Sequence, residues 1–212
     1  MRFPVRLLLC LALVLPAPGF AGEQVVLVVG DSLSAAYGID RDQGWPQLLQ
    51  QQLQQAGYPH RVVNASISGD TTSAGLARLP RALERHAPAV VILALGANDG
   101  LRGIAHEEMQ RNLARMIRLS REQQARVLMV GMHLPPNYGA EYLARFHAVY
   151  TRLADEYDVA LAPFMLAGLM LDDALVPDES MFQADGIHPV AAAQPLILET
   201  LWPYLQPLLE GD

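Results

Sequence analysis

Five short, largely apolar runs that do not alternate with polar residues constrain this chain more than any other feature. They are Val25 to Val29, Val62 to Ala65, Ala89 to Leu95, Val127 to Met132 and Val159 to Ala162. A strand with one face in water alternates, whereas a strand covered on both faces reads as a continuous apolar run. The segments between them carry a helical period instead. Trp45, Leu48, Leu49 and Leu53 form one stripe, Met109, Leu113, Met116 and Ile117 a second, and Tyr142, Leu143, Phe146, Val149, Tyr150 and Leu153 a third. A last helix is expected from Pro189 towards Leu209, bent or divided by Pro195, Pro203 and Pro207. Alternating strands and helices predict a parallel sheet with helices on both faces and right-handed crossovers. No repeat, low-complexity tract or linker interrupts the pattern, so one domain is expected.

In a parallel sheet the carboxyl ends of all strands share one edge, and ligands bind in the crevice there. Ser32, in Gly30-Asp31-Ser32-Leu33-Ser34, follows the first run directly. Gly69 follows the second, in Asn64-Ala65-Ser66-Ile67-Ser68-Gly69-Asp70, and Asn98 the third, in Gly96-Ala97-Asn98-Asp99-Gly100. Asp185 and His188, in Asp185-Gly186-Ile187-His188-Pro189, precede the final helix. Taken singly, each has a plain structural reading: Ser34 as a helix cap, Gly69 and Asn98 as turn residues, Pro189 as a first helical residue. Delivered together to one edge they supply a nucleophile, a base, an acid to orient the base, and donors for a developing oxyanion. That is the logic of acyl transfer. Asp31 is the rival acid, but a side chain adjacent to Ser32 points away from it, so Asp31 is expected to hold the loop.

The N-terminus carries Arg2 and Arg6, then an apolar stretch from Leu7 to Leu15, then Gly19-Phe20-Ala21. This is the pattern of a secretory signal peptide over residues 1–21, leaving a domain over 22–212. The apolar stretch is well short of the ~20 residues that span a bilayer. Losing two of 15 basic residues against 22 acidic ones leaves a net charge of −9. Such a chain is ill suited to binding nucleic acid or anionic lipid by bulk electrostatics. The single cysteine, Cys10, lies within the leader, so the remainder has no disulfide and no thiolate chemistry.

The remaining histidines offer less. His60, His86, His106 and His147 sit among charged neighbours and are expected on the solvated surface, and His133 follows the fourth run with nothing adjacent to tune it. There is no His-Glu-x-x-His spacing for a metal, no phosphate-cradling Gly-x-x-x-x-Gly-Lys and no Gly-x-Ser-x-Gly elbow.

The four blocks around Ser32, Gly69, Asn98 and His188 resemble the GDSL, or SGNH, hydrolase family. Gly100-Leu101-Arg102-Gly103 and Leu134-Pro135-Pro136-Asn137-Tyr138-Gly139 are similar to its periplasmic thioesterase and lysophospholipase members. The resemblance implies a flavodoxin-like three-layer α/β/α sandwich with five parallel strands in order 2-1-3-4-5. It implies Ser32 as nucleophile, His188 as base, Asp185 orienting it, and an oxyanion hole from the Ser32 and Gly69 N–H groups and the Asn98 amide. No metal or organic cofactor is implied. Leu101, Ile104, Leu134, Pro135 and Tyr138 are expected to wall a fatty acyl site. The expected ligand is an acyl ester or lysophospholipid, met in the periplasm by a monomer that does not insert stably in a membrane. Two other readings stay open: a carbohydrate deacetylase on the same fold, disfavoured by the lack of an aromatic cluster near the motifs, and a non-enzymatic binding module.

Overall fold

A computed structural model describes residues 24–171 and 175–210. The leader over residues 1–21 therefore lies outside the described residues. The chain runs β1 (Gln24–Gly30), α1 (Trp45–Gln55), β2 (His60–Asn64), α2 (Thr72–His86), β3 (Val90–Ala94), α3 (Ala97–Leu101), α4 (His106–Glu122), β4 (Arg126–Val130), α5 (Ala140–Tyr157), β5 (Ala160–Ala162) and α6 (Gln194–Glu210). Every strand pairing is parallel and the order is β2-β1-β3-β4-β5. Val26 to Val29 and Val90 to Ala94 are almost wholly excluded from water, as strands covered on both faces must be. Helices α1 and α6 pack together, and α4 packs against both α2 and α5, which gives the two outer layers of an α/β sandwich. Among the described residues no helix is long and apolar enough to cross a membrane.

Helix α2 escapes the apolar pattern because two of its four buried positions are Thr72 and Gly75, the others being Leu79 and Leu83. Gly75 is a packing requirement: a Cβ there would lie 2.3 Å from Leu95 Cδ1.

The last helix departs from expectation at its start. It begins at Gln194, not Pro189, because Pro189 is held in an antiparallel bridge with Phe182 and a 3-10 turn over Ala191–Ala193 intervenes. Pro203 and Pro207 lie inside the helix and do not divide it. Leu201, Leu205 and Leu209 are buried alongside, so packing overrides the two lost backbone bonds. Gln194 also ties α6 to α1, its buried Oε1 accepting from Trp45 N–H at 3.0 Å.

Candidate active site

Ser32 sits two residues beyond β1, in a turn built by Asp31. The Asp31 carbonyl accepts from the N–H groups of Ser34 and Ala35 (3.2 and 3.0 Å), and its Oδ1 accepts from Leu33 N–H at 3.0 Å. The carboxylate holds the loop through that bond. It is 1% exposed, and burial pushes it up to about 6, with the Leu33 bond opposing. Ser34 caps nothing; it is fully buried, its Oγ has no partner among the described residues, and no α-helix starts until Trp45.

Asp185 and His188 come from the long segment between β5 and α6. A tight turn shapes it: Gln183 N–H donates to the His188 carbonyl and Gly186 N–H to the Gln183 carbonyl, each at 2.8 Å. Asp185 Oδ1 accepts from the backbone N–H groups of Ile187 (2.9 Å) and His188 (3.0 Å), which leaves Oδ2 for the imidazole. His188 Nδ1 is 2.7 Å from Asp185 Oδ2, and His188 Nε2 is 2.9 Å from Ser32 Oγ. A carboxylate only accepts, so Nδ1 carries the proton and Nε2 is free to accept from the serine hydroxyl. The backbone and imidazole bonds from His188, with that of Ile187, hold the Asp185 carboxyl at about 2. It is ionised throughout the neutral range.

Gly69 and Asn98 come to the same place from the β2 and β3 loops. Asn98 Nδ2 donates to the Asp70 carbonyl at 3.0 Å and lies 3.4 Å from Asp31 Oδ2, so it bridges the residue after Gly69 and the residue before Ser32. Neither the Ser32 nor the Gly69 N–H has a partner among the described residues. The arrangement can activate a hydroxyl, receive its proton and meet an anionic oxygen with N–H groups.

Two supports were invisible in the motifs. Arg78 of α2 pairs with Asp70 through Nε at 2.7 Å, and its guanidinium also donates to the Ala65 and Gly30 carbonyls. One side chain thereby gathers the β1 and β2 loops. Asp99 stands at the start of α2, accepting from Thr72 N–H (2.8 Å) and Thr72 Oγ1 (2.5 Å), while Asn112 Nδ2 donates to that hydroxyl at 3.0 Å. A carboxylate is favoured at a helix N-terminus, although burial raises this one above its ordinary value.

Of the residues expected to wall an acyl site, Ile104 and Tyr138 share a cleft of about 590 Å³ with His106, Tyr142 and Arg145. Tyr138 and Tyr142 donate through their hydroxyls to the Leu101 (3.0 Å) and Gly100 (2.8 Å) carbonyls, pinning the α3 end to the segment before α5. Leu134 is buried against Gly100, Leu101 is half-buried and Pro135 is exposed.

Several histidines differ from expectation. His60 is not on a solvated surface but 5% exposed at the start of β2, with neither ring nitrogen partnered among the described residues. Burial lowers its basicity, and that of His106 and His147, whose Nε2 atoms are also buried without partners. His133 does have neighbours that tune it. Its ring lies 3.9 Å from His147 and 4.2 Å from Phe164, and burial lowers it to about 4. Aromatic rings do border the motifs: Tyr37 lies 4.3 Å from His188, and Tyr138 stacks on Tyr142 at 5.7 Å. Among the described residues no group of three or more His, Cys, Asp or Glu could hold a metal.

Residues 28–195 match the model of the GDSL-like Lipase/Acylhydrolase family. The chain is 52% identical over 200 residues to Esterase TesA of Pseudomonas aeruginosa, covering 94% of this chain and 96% of that one. It is 41% identical over 192 residues to Thioesterase 1/protease 1/lysophospholipase L1 of Escherichia coli K12, covering 91% and 88%. A crystal structure of TesA superposes with a TM-score of 0.82 at 52% identity, covering 87% of this chain and 99% of that one. With the matched segment spanning every block from β1 to the start of α6, the chain belongs to the GDSL-like lipase/acylhydrolase family of hydrolases.

Proposed function

We propose that the protein is a serine esterase that hydrolyses carboxylic esters, and thioesters, of fatty acyl groups through Ser32, His188 and Asp185. The observation that carries this reading is the unbroken relay from Asp185 Oδ2 to His188 Nδ1 at 2.7 Å and from His188 Nε2 to Ser32 Oγ at 2.9 Å. The printed names of its relatives, esterase and thioesterase/lysophospholipase, support the reaction class.

Ser32 Oγ attacks the acyl carbonyl while His188 Nε2 takes its proton. The resulting imidazolium is stabilised by the ionised Asp185. The oxyanion is met by the Ser32 and Gly69 N–H groups and by Asn98, whose second N–H is held only at 3.4 Å by Asp31 and can turn to the substrate. His188 then protonates the leaving group, and water reverses the sequence to release the acid. Leu101, Ile104, Leu134, Pro135 and Tyr138 contact the acyl chain, each buried methylene contributing about 0.8 kcal/mol. Residues 1–21 are an export leader and residues 22–212 the enzyme, a periplasmic monomer. Coenzyme A esters are cytosolic, so an exported enzyme meets lysophospholipids and other esters.

Hydrolysis of p-nitrophenyl esters from acetyl to palmitoyl, with Ser32→Ala in parallel, tests the proposal. Ser32-dependent rates that favour medium or long chains support it. Rates confined to acetyl point to a deacetylase, and an unaffected Ser32→Ala protein removes the nucleophile assignment.

A further inference from the structure

The two hydrogen bonds to His188 engage only the edge of its ring. They hold Nδ1 and Nε2 and leave the faces of the imidazole open. Only a group against a ring face can keep water from it. The Tyr37 ring does so, with a centroid distance of 4.3 Å and a tilt of 37°. Tyr37 is 50% exposed, and its hydroxyl has no partner among the described residues. Neither core packing nor a phenol hydrogen bond accounts for its place, whereas His188 beneath it keeps only 18% of its side chain exposed.

The ring is also held deliberately against the histidine loop. Gln183 Nε2 donates to the Tyr37 carbonyl at 2.8 Å and to the Pro189 carbonyl at 3.1 Å, while Gln183 N–H donates to the His188 carbonyl at 2.8 Å. One residue therefore clips the segment after the nucleophile to the loop that carries the base. The approach is so close that a Cβ on Gly38, at φ +75°, would lie 2.1 Å from Gln183 Oε1. Segments 146 residues apart in sequence are thus stitched at the base itself.

We infer that Tyr37 is a positioning residue, its aromatic face packing on the His188 imidazole and shielding it from water, with Gln183 as the clip that holds Tyr37 in place. The role rests on the hydrolase reading above. It needs the ring and not the hydroxyl.

The test is steady-state hydrolysis of p-nitrophenyl acetate, a substrate whose short acyl group makes few side-chain contacts, by the unmodified protein, Tyr37→Ala and Tyr37→Phe. Thermal unfolding is followed for all three. Tyr37→Ala is expected to lose roughly tenfold in kcat, the scale of one aromatic contact, with KM and melting temperature unchanged. Tyr37→Phe is expected to restore the rate. Gln183→Ala is expected to show the same pattern as Tyr37→Ala, because the ring is then untethered. Wild-type kcat in Tyr37→Ala overturns the inference, as does a loss confined to KM, which would make the ring a substrate contact. So does a Tyr37→Phe protein as slow as Tyr37→Ala. An unmodified protein without Ser32-dependent turnover overturns the hydrolase reading, and the role with it; an active one paired with a fully active Tyr37→Ala overturns the role alone.

Discussion

Replacing Asp31 by asparagine is expected to make the protein more stable, by an amount that depends on pH. The carboxyl is 1% exposed, and burial raises it from 3.8 to about 6. A raised value means that the folded state holds the proton more tightly than the unfolded chain does. Stability from this group is therefore greatest below about pH 4, falls between about 4 and 6, and stays reduced above. At 1.36 kcal/mol per pH unit the penalty above pH 6 is about 3 kcal/mol. Asparagine is close in shape to the protonated acid and cannot ionise, and its oxygen can still accept from Leu33 N–H. The variant should thus match the parent near pH 4 and exceed it by about 2–3 kcal/mol at pH 8. For a chain of this size that is a rise in melting temperature of roughly 5–10 °C. Calorimetry of both proteins at pH 4, 6 and 8 in one salt concentration reads the difference directly. Melting curves separated by the same interval at all three values would refute the reasoning, as would a variant less stable at pH 8. In that case the charge is compensated by its bonds to Leu33 and Asn98.

Asp185→Asn should retain the backbone bonds from Ile187 and His188 but present an amide N–H₂ to His188 Nδ1, which forces the proton onto Nε2 and removes the base. A fall in kcat of about 10⁴-fold is expected for any ester tested, and a loss below tenfold would show that Asp185 does not set the tautomer. Because Asp185 is held at about 2, its own protonation should leave no mark on the activity profile above about pH 4. Gly131→Ala would place a Cβ 2.1 Å from the Pro163 carbonyl oxygen, where β4 meets the turn after β5. Backbone cannot yield as a side-chain tip does, so a loss of about 2–3 kcal/mol in chemical denaturation is expected; a change within a few tenths would mean that the segment shifts freely.

Much of the framework was legible in particular residues. Val25 to Val29 and Ala89 to Leu95 contain strands buried on both faces, and the stripes headed by Trp45, Met109 and Tyr142 fall in α1, α4 and α5. Helix α2 was not legible, because Thr72 and Gly75 face inward without being apolar. The start of α6 was misplaced for a related reason, since Pro189 suits a first helical residue locally and only its bridge to Phe182 assigns it elsewhere. His60 was misjudged because its charged neighbour Arg61 faces the other side of β2, exposed where His60 is buried.

The sequence by itself determined the strand count, the layer class and the positions that carry Ser32, Gly69, Asn98, Asp185 and His188, since period and turn chemistry are local properties of the chain. Tertiary structure alone decided what surrounds them. Arg78 reaching the Asp70 carboxylate and two carbonyls, Asp31 buried beside Asn98, and Tyr37 clipped over His188 by Gln183 all join residues remote in sequence or loops whose approach no local pattern encodes. Such contacts exist only once the sheet has brought its carboxyl ends to one edge, because burial and hydrogen-bond partners are properties of the packed molecule.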